Sequence, residues 1–155
     1  MTTSDRRKPT AVGAATAIVV GLVAITPAAG LVGPMDAIWL GGFAAIPSYL
    51  MLQWRAKTNF DDSLDVFAAH GVGGTVGALL TGVFAQKALN GVQDGLLYGN
   101  PGQLGIQAIA VAAAAVYSFG VSFVLVKLVG LVIPLRPSAE DEMTGLDISQ
   151  HGEDA

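Results

Sequence analysis

The charges of this chain are fenced into short stretches, and the gaps between them set its fold class. No Asp, Glu, Lys or Arg occurs in 9–35, 37–54, 66–86 or 95–126. Each gap reaches or exceeds the roughly 18 to 20 residues that cross a hydrocarbon core. Only 13% of the 155 residues are charged, 52% are apolar and the mean hydropathy is +0.58. A soluble domain of that size needs more charge to cover its surface. Backbone groups in lipid must be satisfied within the spanning element, which leaves helices or closed barrels. Runs such as AIAVAAAAV (108–116) lack the alternation of a barrel strand. The expectation is an all-α integral membrane protein with helices near 10–30, 37–54, 65–85 and 103–127, forming a membrane region over 1–136. A polar tail follows over 137–155.

The start of the chain has one competing explanation. Arg6, Arg7 and Lys8 lead into an apolar run ending in small residues, as in a secretory signal. That run is far longer than the roughly 7 to 15 residues of a signal core, and three further spans follow. There are no cysteines, which excludes disulfides, thiol catalysis and Cys-ligated metal. The sequence offers no catalytic triad, phosphate loop or metal-ligand cluster, and so points to no enzyme, cofactor or nucleic-acid partner.

Lys and Arg fix an orientation. Arg6, Arg7, Lys8, Arg55, Lys57, Lys127 and Arg136 fall on one side of the four spans, and Lys87 alone on the other. The positive-inside rule places the first group, and both termini, in the cytoplasm. The net charge of −4 does not oppose this, because acids contribute little to the rule. Pro27 is expected to kink or end the first helix, with Gly30, Gly33 and Pro34 forming its exit turn. Trp39 and Trp54 flank the second span as interfacial aromatics do.

The third span, DVFAAHGVGGTVGALLTGVFA (65–85), carries the chemistry. Stepping by three and four along a helix from His70 reaches Gly73, Gly74, Gly77 and Thr81. Each glycine costs a helix about 1 kcal/mol relative to alanine, so their number needs a reason. Gly73-x-x-x-Gly77 permits close approach of a neighbouring helix. His70 on that ridge would point into protein. It is then either a structural histidine bonded across a helix contact or a pathway group, the default for an ionisable residue at membrane depth. Asp65 is read as a cap favouring the helix dipole.

These residues resemble a known family. DDSLDVFAAHGVGGTVGALLTGVFA (61–85) resembles the signature of the ammonium transporters, the family that includes the Rh glycoproteins. KPTAVGAATAIVVGLVAITPAAG (8–30) is similar to the family's eighth helix, 36–54 stands where the ninth belongs, and GLDISQHGEDA (145–155) resembles its cytoplasmic ending. The resemblance implies an eleven-helix fold of which this chain is the C-terminal portion, assembled as a homotrimer in the plasma (inner) membrane. Each subunit would pass ammonium or ammonia through a narrow apolar pore lined by two histidines. His70 matches the second of that pair. Val66 and, by its spacing from Thr26, Val19 match apolar pore-lining residues. Asp65, Gly71, Gly73, Gly74, Gly77, Thr26 and Pro27 are left to helix packing. Gly145, Asp147, His151, Gly152 and Glu153 match the tail motif that couples subunits and responds to a PII-type regulator.

Separating ammonia from its proton avoids the cost of an ion in low dielectric, about 20 kcal/mol in the idealised limit. Imidazole suits such a relay because each ring nitrogen donates or accepts. The first pore histidine and the outer cation-binding Trp and Ser belong to the family's earlier helices, and His151 lies in the tail. The chain therefore reads as a fragment, a late start or a disrupted gene, not competent alone. The alternative is a stand-alone four-helix module that serves assembly or regulation.

Overall fold

The computed structural model describes residues 10–62 and 64–153, and the basic lead Arg6–Lys8 lies outside them. All regular structure among the described residues is helical. Four helical segments, Ala11–Ala28, Pro34–Arg55, Phe67–Phe84 and Gly102–Val129, are long and apolar enough to cross a membrane. The chain divides into two compact units, up to Ala112 and from Ala113, and each is described by itself.

In the first unit, α1 (Ala11–Ile25) starts where the Thr10 hydroxyl accepts from the Gly13 amide at 3.0 Å. It tightens into a 3-10 turn at Thr26–Ala28 that contains Pro27. Proline has no N–H to give the ladder, so the helical segment ends at Ala28, just short of the expected bound near residue 30. The Thr26 hydroxyl donates to the Leu22 carbonyl at 2.7 Å. Gly30, at φ 76°, turns the chain into α2 (Pro34–Arg55), which opens on Pro34. Pro at the first helical position forfeits only an amide that has no partner there. Next come a wide π turn (Phe67–Val72), α3 (Gly73–Phe84) and the short α4 (Lys87–Asn90). A 3-10 turn (Leu96–Tyr98) precedes α5 (Gly102–Val129).

Helices α1, α2 and α3 pack together around Ala24, Ala28, Leu40, Ala44 and Phe84. Only two of these side chains are large. Without a hydrophobic drive between helices in lipid, association rests on close contact, and small residues permit it. A Cβ on Gly77 would sit 2.2 Å from the Ala24 carbonyl oxygen, so α1 and α3 touch backbone to backbone. Gly82 meets the start of α5 in the same way, 2.9 Å from the Leu104 Cα.

The second unit contains the end of α5 and the tail. The tail is more ordered than its polarity suggests. Ser138 caps α6 (Ala139–Thr144), its hydroxyl accepting from the Asp141 amide at 3.1 Å. Arg136 grips Glu142 with two bonds, Nε to Oε1 at 2.7 Å and Nη2 to Oε2 at 3.2 Å. This pairing holds the Glu142 carboxyl below its ordinary pKa.

Candidate functional site

The candidate site begins at an abrupt helix start. Both carboxylate oxygens of Asp62 accept amides of the first turn, from Val66 at 2.9 Å and Phe67 at 2.8 Å. Charge-assisted bonds of this kind are stronger than neutral ones and complement the helix dipole. Asp65, expected as the cap, does something else. Its backbone sits at φ 55°, the one non-glycine with positive φ among the described residues. Its carboxylate is ion-paired to Arg55 in the last turn of α2. Asp62 wins the cap because the left-handed turn at Asp65 carries its side chain toward α2.

The wide turn that follows corrects a second expectation. Gly73, Gly77 and Thr81 are buried as the ridge requires, with Gly74 half-buried. Val20 and Ser48 pack on Gly73, Val23 faces Gly74, and the Thr81 hydroxyl donates to the Gly77 carbonyl at 2.9 Å. His70 does not share that ridge: it is exposed. Counting back from Gly73 by three assumes 3.6 residues per turn. A π turn holds more, so the count overshoots and His70 falls off the packed face. Ala68 and Ala69 are buried there instead. Gly71 is exposed, and the ring of Phe67 stands beside it, 3.2 Å from where a Cβ would be. Phe67 in turn contacts Phe60, and Phe60 contacts Trp54 (ring centroids 5.7 and 6.3 Å apart).

Val66 and Val19 are also exposed, at 49% and 39%, and Val20 rather than Val19 packs on α3. A groove of about 590 Å³ runs between α1 and α2, lined by Thr16, Val20, Ser48, Tyr49, Arg55 and Asp65 among others. His70 is not among its walls. The described residues contain no cluster of three or more His, Asp or Glu able to hold a metal.

At the other end of the spans is a network that sequence reading missed. Asp36 Oδ2 accepts from the Gln86 amide and from the Tyr98 hydroxyl, the latter at 2.9 Å. Gln86 Nε2 also donates to Tyr98 Oη at 2.9 Å. The hydrogen bond to Asp36 raises the Tyr98 pKa, because the carboxylate opposes loss of the phenolic proton. Asp94 accepts the Lys87 amide at 2.7 Å, and the Asn90 side chain makes four hydrogen bonds, to Gln86, Val92 and, twice, Gln93. The only legible signal was a stretch rich in turn residues; which side chains pair depends on segments 50 and 62 residues apart.

In the tail, Gly145 and Gly152 have positive φ (96° and 67°), a conformation other residues resist. They bracket a wide turn at Asp147–His151, closed by the Glu153 amide donating to the Asp147 carbonyl at 2.9 Å. Asp147, His151 and Glu153 are exposed.

Stacked apolar helices with a small-residue core define a multi-pass helical membrane protein. A profile of the Ammonium Transporter Family matches residues 1–155, and the chain belongs to that family. It is 44% identical to an ammonium transporter of Bacillus subtilis, aligning 96% of this chain with 37% of that one. It is 48% identical to an ammonium transporter of Aquifex aeolicus, aligning 96% with 35%. The chain thus spans about a third of the length of these curated relatives. Its fold is similar to the crystal structure of Saccharomyces cerevisiae Mep2, with TM-score 0.77, 33% identity, and coverage of 88% of this chain and 32% of that one. Candida albicans Mep2 gives TM-score 0.78 and 31% identity, covering 95% and 34%. The relatives are transporters, not enzymes.

Proposed function

We propose that this chain supplies the C-terminal third of an ammonium-conducting unit, with His70 as one imidazole of a proton-relaying pore. The observation that carries this reading is the exposure of His70 near the head of a span whose Gly73, Gly77 and Thr81 are buried. An imidazole turned out of its own bundle, with Val66 and Val19 exposed too, suits a wall that is completed by further helices. The pore is then built between this bundle and other helices, and His70 finds its hydrogen-bond partner there. On this reading the chain alone conducts nothing.

On this reading the membrane region extends over 1–136 and the tail over 137–155, with both termini on the cytoplasmic side of the plasma membrane. The completed protein is a homotrimer. The turn at Asp147–His151, with Gly145, Gly152 and Glu153, is the surface for subunit coupling and for a PII-type regulator. The alternative, a self-contained module that transports nothing, has one observation in its favour: α1 to α3 bury a core of their own.

Uptake of labelled methylammonium into proteoliposomes separates the two readings. The chain alone should give none. Joined to the earlier helices of a family member it should give uptake that His70→Ala abolishes. Uptake by the chain alone, or joined uptake indifferent to His70→Ala, overturns the proposal.

A further inference from the structure

We infer that the Arg55–Asp65 ion pair is a positioning device that keeps the wide turn wound and so holds His70 off the packed ridge; its functional meaning rests on the pore reading above. Three observations converge on it. Asp65 occupies a left-handed conformation that a non-glycine adopts at a cost. Its carboxylate is tied to Arg55 on another helix, and both side chains are 29% exposed, so the tie is partly shielded from water. Beyond the turn, Gly73 and Gly77 are wedged against Val20, Ser48 and the Ala24 backbone.

The segment 66–72 therefore runs between two fixed points. One is a tether to α2 and the other is a close-packed seam with α1. A π turn is rare because its geometry is less favourable than that of an α-helix, and it persists where the surroundings impose it. With both ends held, the intervening residues are wound wide. Releasing the tether lets Asp65 return to a relaxed conformation and lets the turn rewind at 3.6 residues. His70 then moves toward the ridge of Gly73 and Gly77, where the sequence spacing alone would have put it. Arg55 and Asp65 touch no transported species in this account; they act through His70.

The test reads His70 directly in the intact chain reconstituted in lipid nanodiscs. The rate of carbethoxylation of His70 by diethyl pyrocarbonate is measured by peptide mass spectrometry, with exposed His151 as internal reference. Arg55→Gln and Asp65→Ala should each lower the His70-to-His151 ratio several-fold, and Arg55→Lys, which preserves a cation for the pair, should restore it. An unchanged ratio in either of the first two variants, or an equal fall in Arg55→Lys, overturns the proposal. Should Arg55→Gln not fold, Asp65→Asn replaces it. Asparagine tolerates the left-handed turn while losing the charge; an unchanged ratio there also overturns the proposal, and a fall supports it. Transport does not enter this measurement. Uptake indifferent to His70 would remove the pore reading while leaving the positioning result to stand or fall by itself.

Discussion

Gly77 shows how much a single missing methyl group decides. The Ala24 carbonyl oxygen stands 2.2 Å from the place a Cβ would occupy, and the Ala24 Cα stands 2.7 Å from it. No side-chain rotation relieves a clash with backbone, so α1 and α3 must separate. Gly77→Ala should therefore destabilise the bundle by about 1 to 3 kcal/mol, the range for overpacking a close-packed interior. Equilibrium unfolding in mixed micelles measures it. Gly74→Ala, whose Cβ would meet only the Val23 side chain at an ordinary 3.6 Å, should be nearly neutral. Two glycines of one span thus separate by what they touch. The Gly-x-x-x-Gly spacing made close approach legible in the sequence; which of the glycines bears it was not.

Among the elements, the third span and the tail depart furthest from plain helix periodicity. In the span, the Asp62 cap, the left-handed Asp65 and the wide turn together reset the phase of His70 relative to Gly73. Periodicity cannot reveal this, because hydrophobic spacing assumes a constant number of residues per turn. In the tail, Ser138 and the Arg136–Glu142 pair hold α6 to the segment before it. Since the Glu142 pKa is lowered on folding, its contribution is full above the unfolded value and is lost as pH falls through the folded one. Acidification through that window should therefore loosen α6. Backbone amide NMR of residues 139–144 should show reduced helical shifts in the wild type. In Glu142→Gln the tail should be weakened already at neutral pH and should change little on acidification.

On the scale of the whole molecule, the loop ends of the spans are joined by Asp36, Gln86 and Tyr98. These residues tie the start of α2 to the connection between α3 and α5. The Tyr98 pKa is raised, so its bond is fully present below the unfolded value and is lost as pH rises through the folded one. Thermal unfolding in detergent should accordingly fall with alkaline pH more steeply for the wild type than for Tyr98→Phe. At neutral pH the phenylalanine variant should already be the less stable of the two. Parallel pH curves for the two proteins would show that the network does not brace the loops.

The sequence by itself determined the class of this protein, because four charge-free runs of spanning length leave a chain no compact soluble alternative. It also marked His70 and the glycine ridge as the places to look, since an imidazole and helix-weakening residues in an apolar run both require a reason. Tertiary structure alone decided which way His70 faces, which aspartate caps its helix and which acid braces the loops at the far end of the spans. Each of those depends on a partner distant along the chain or on a local change in helical pitch, and composition and spacing carry no record of either.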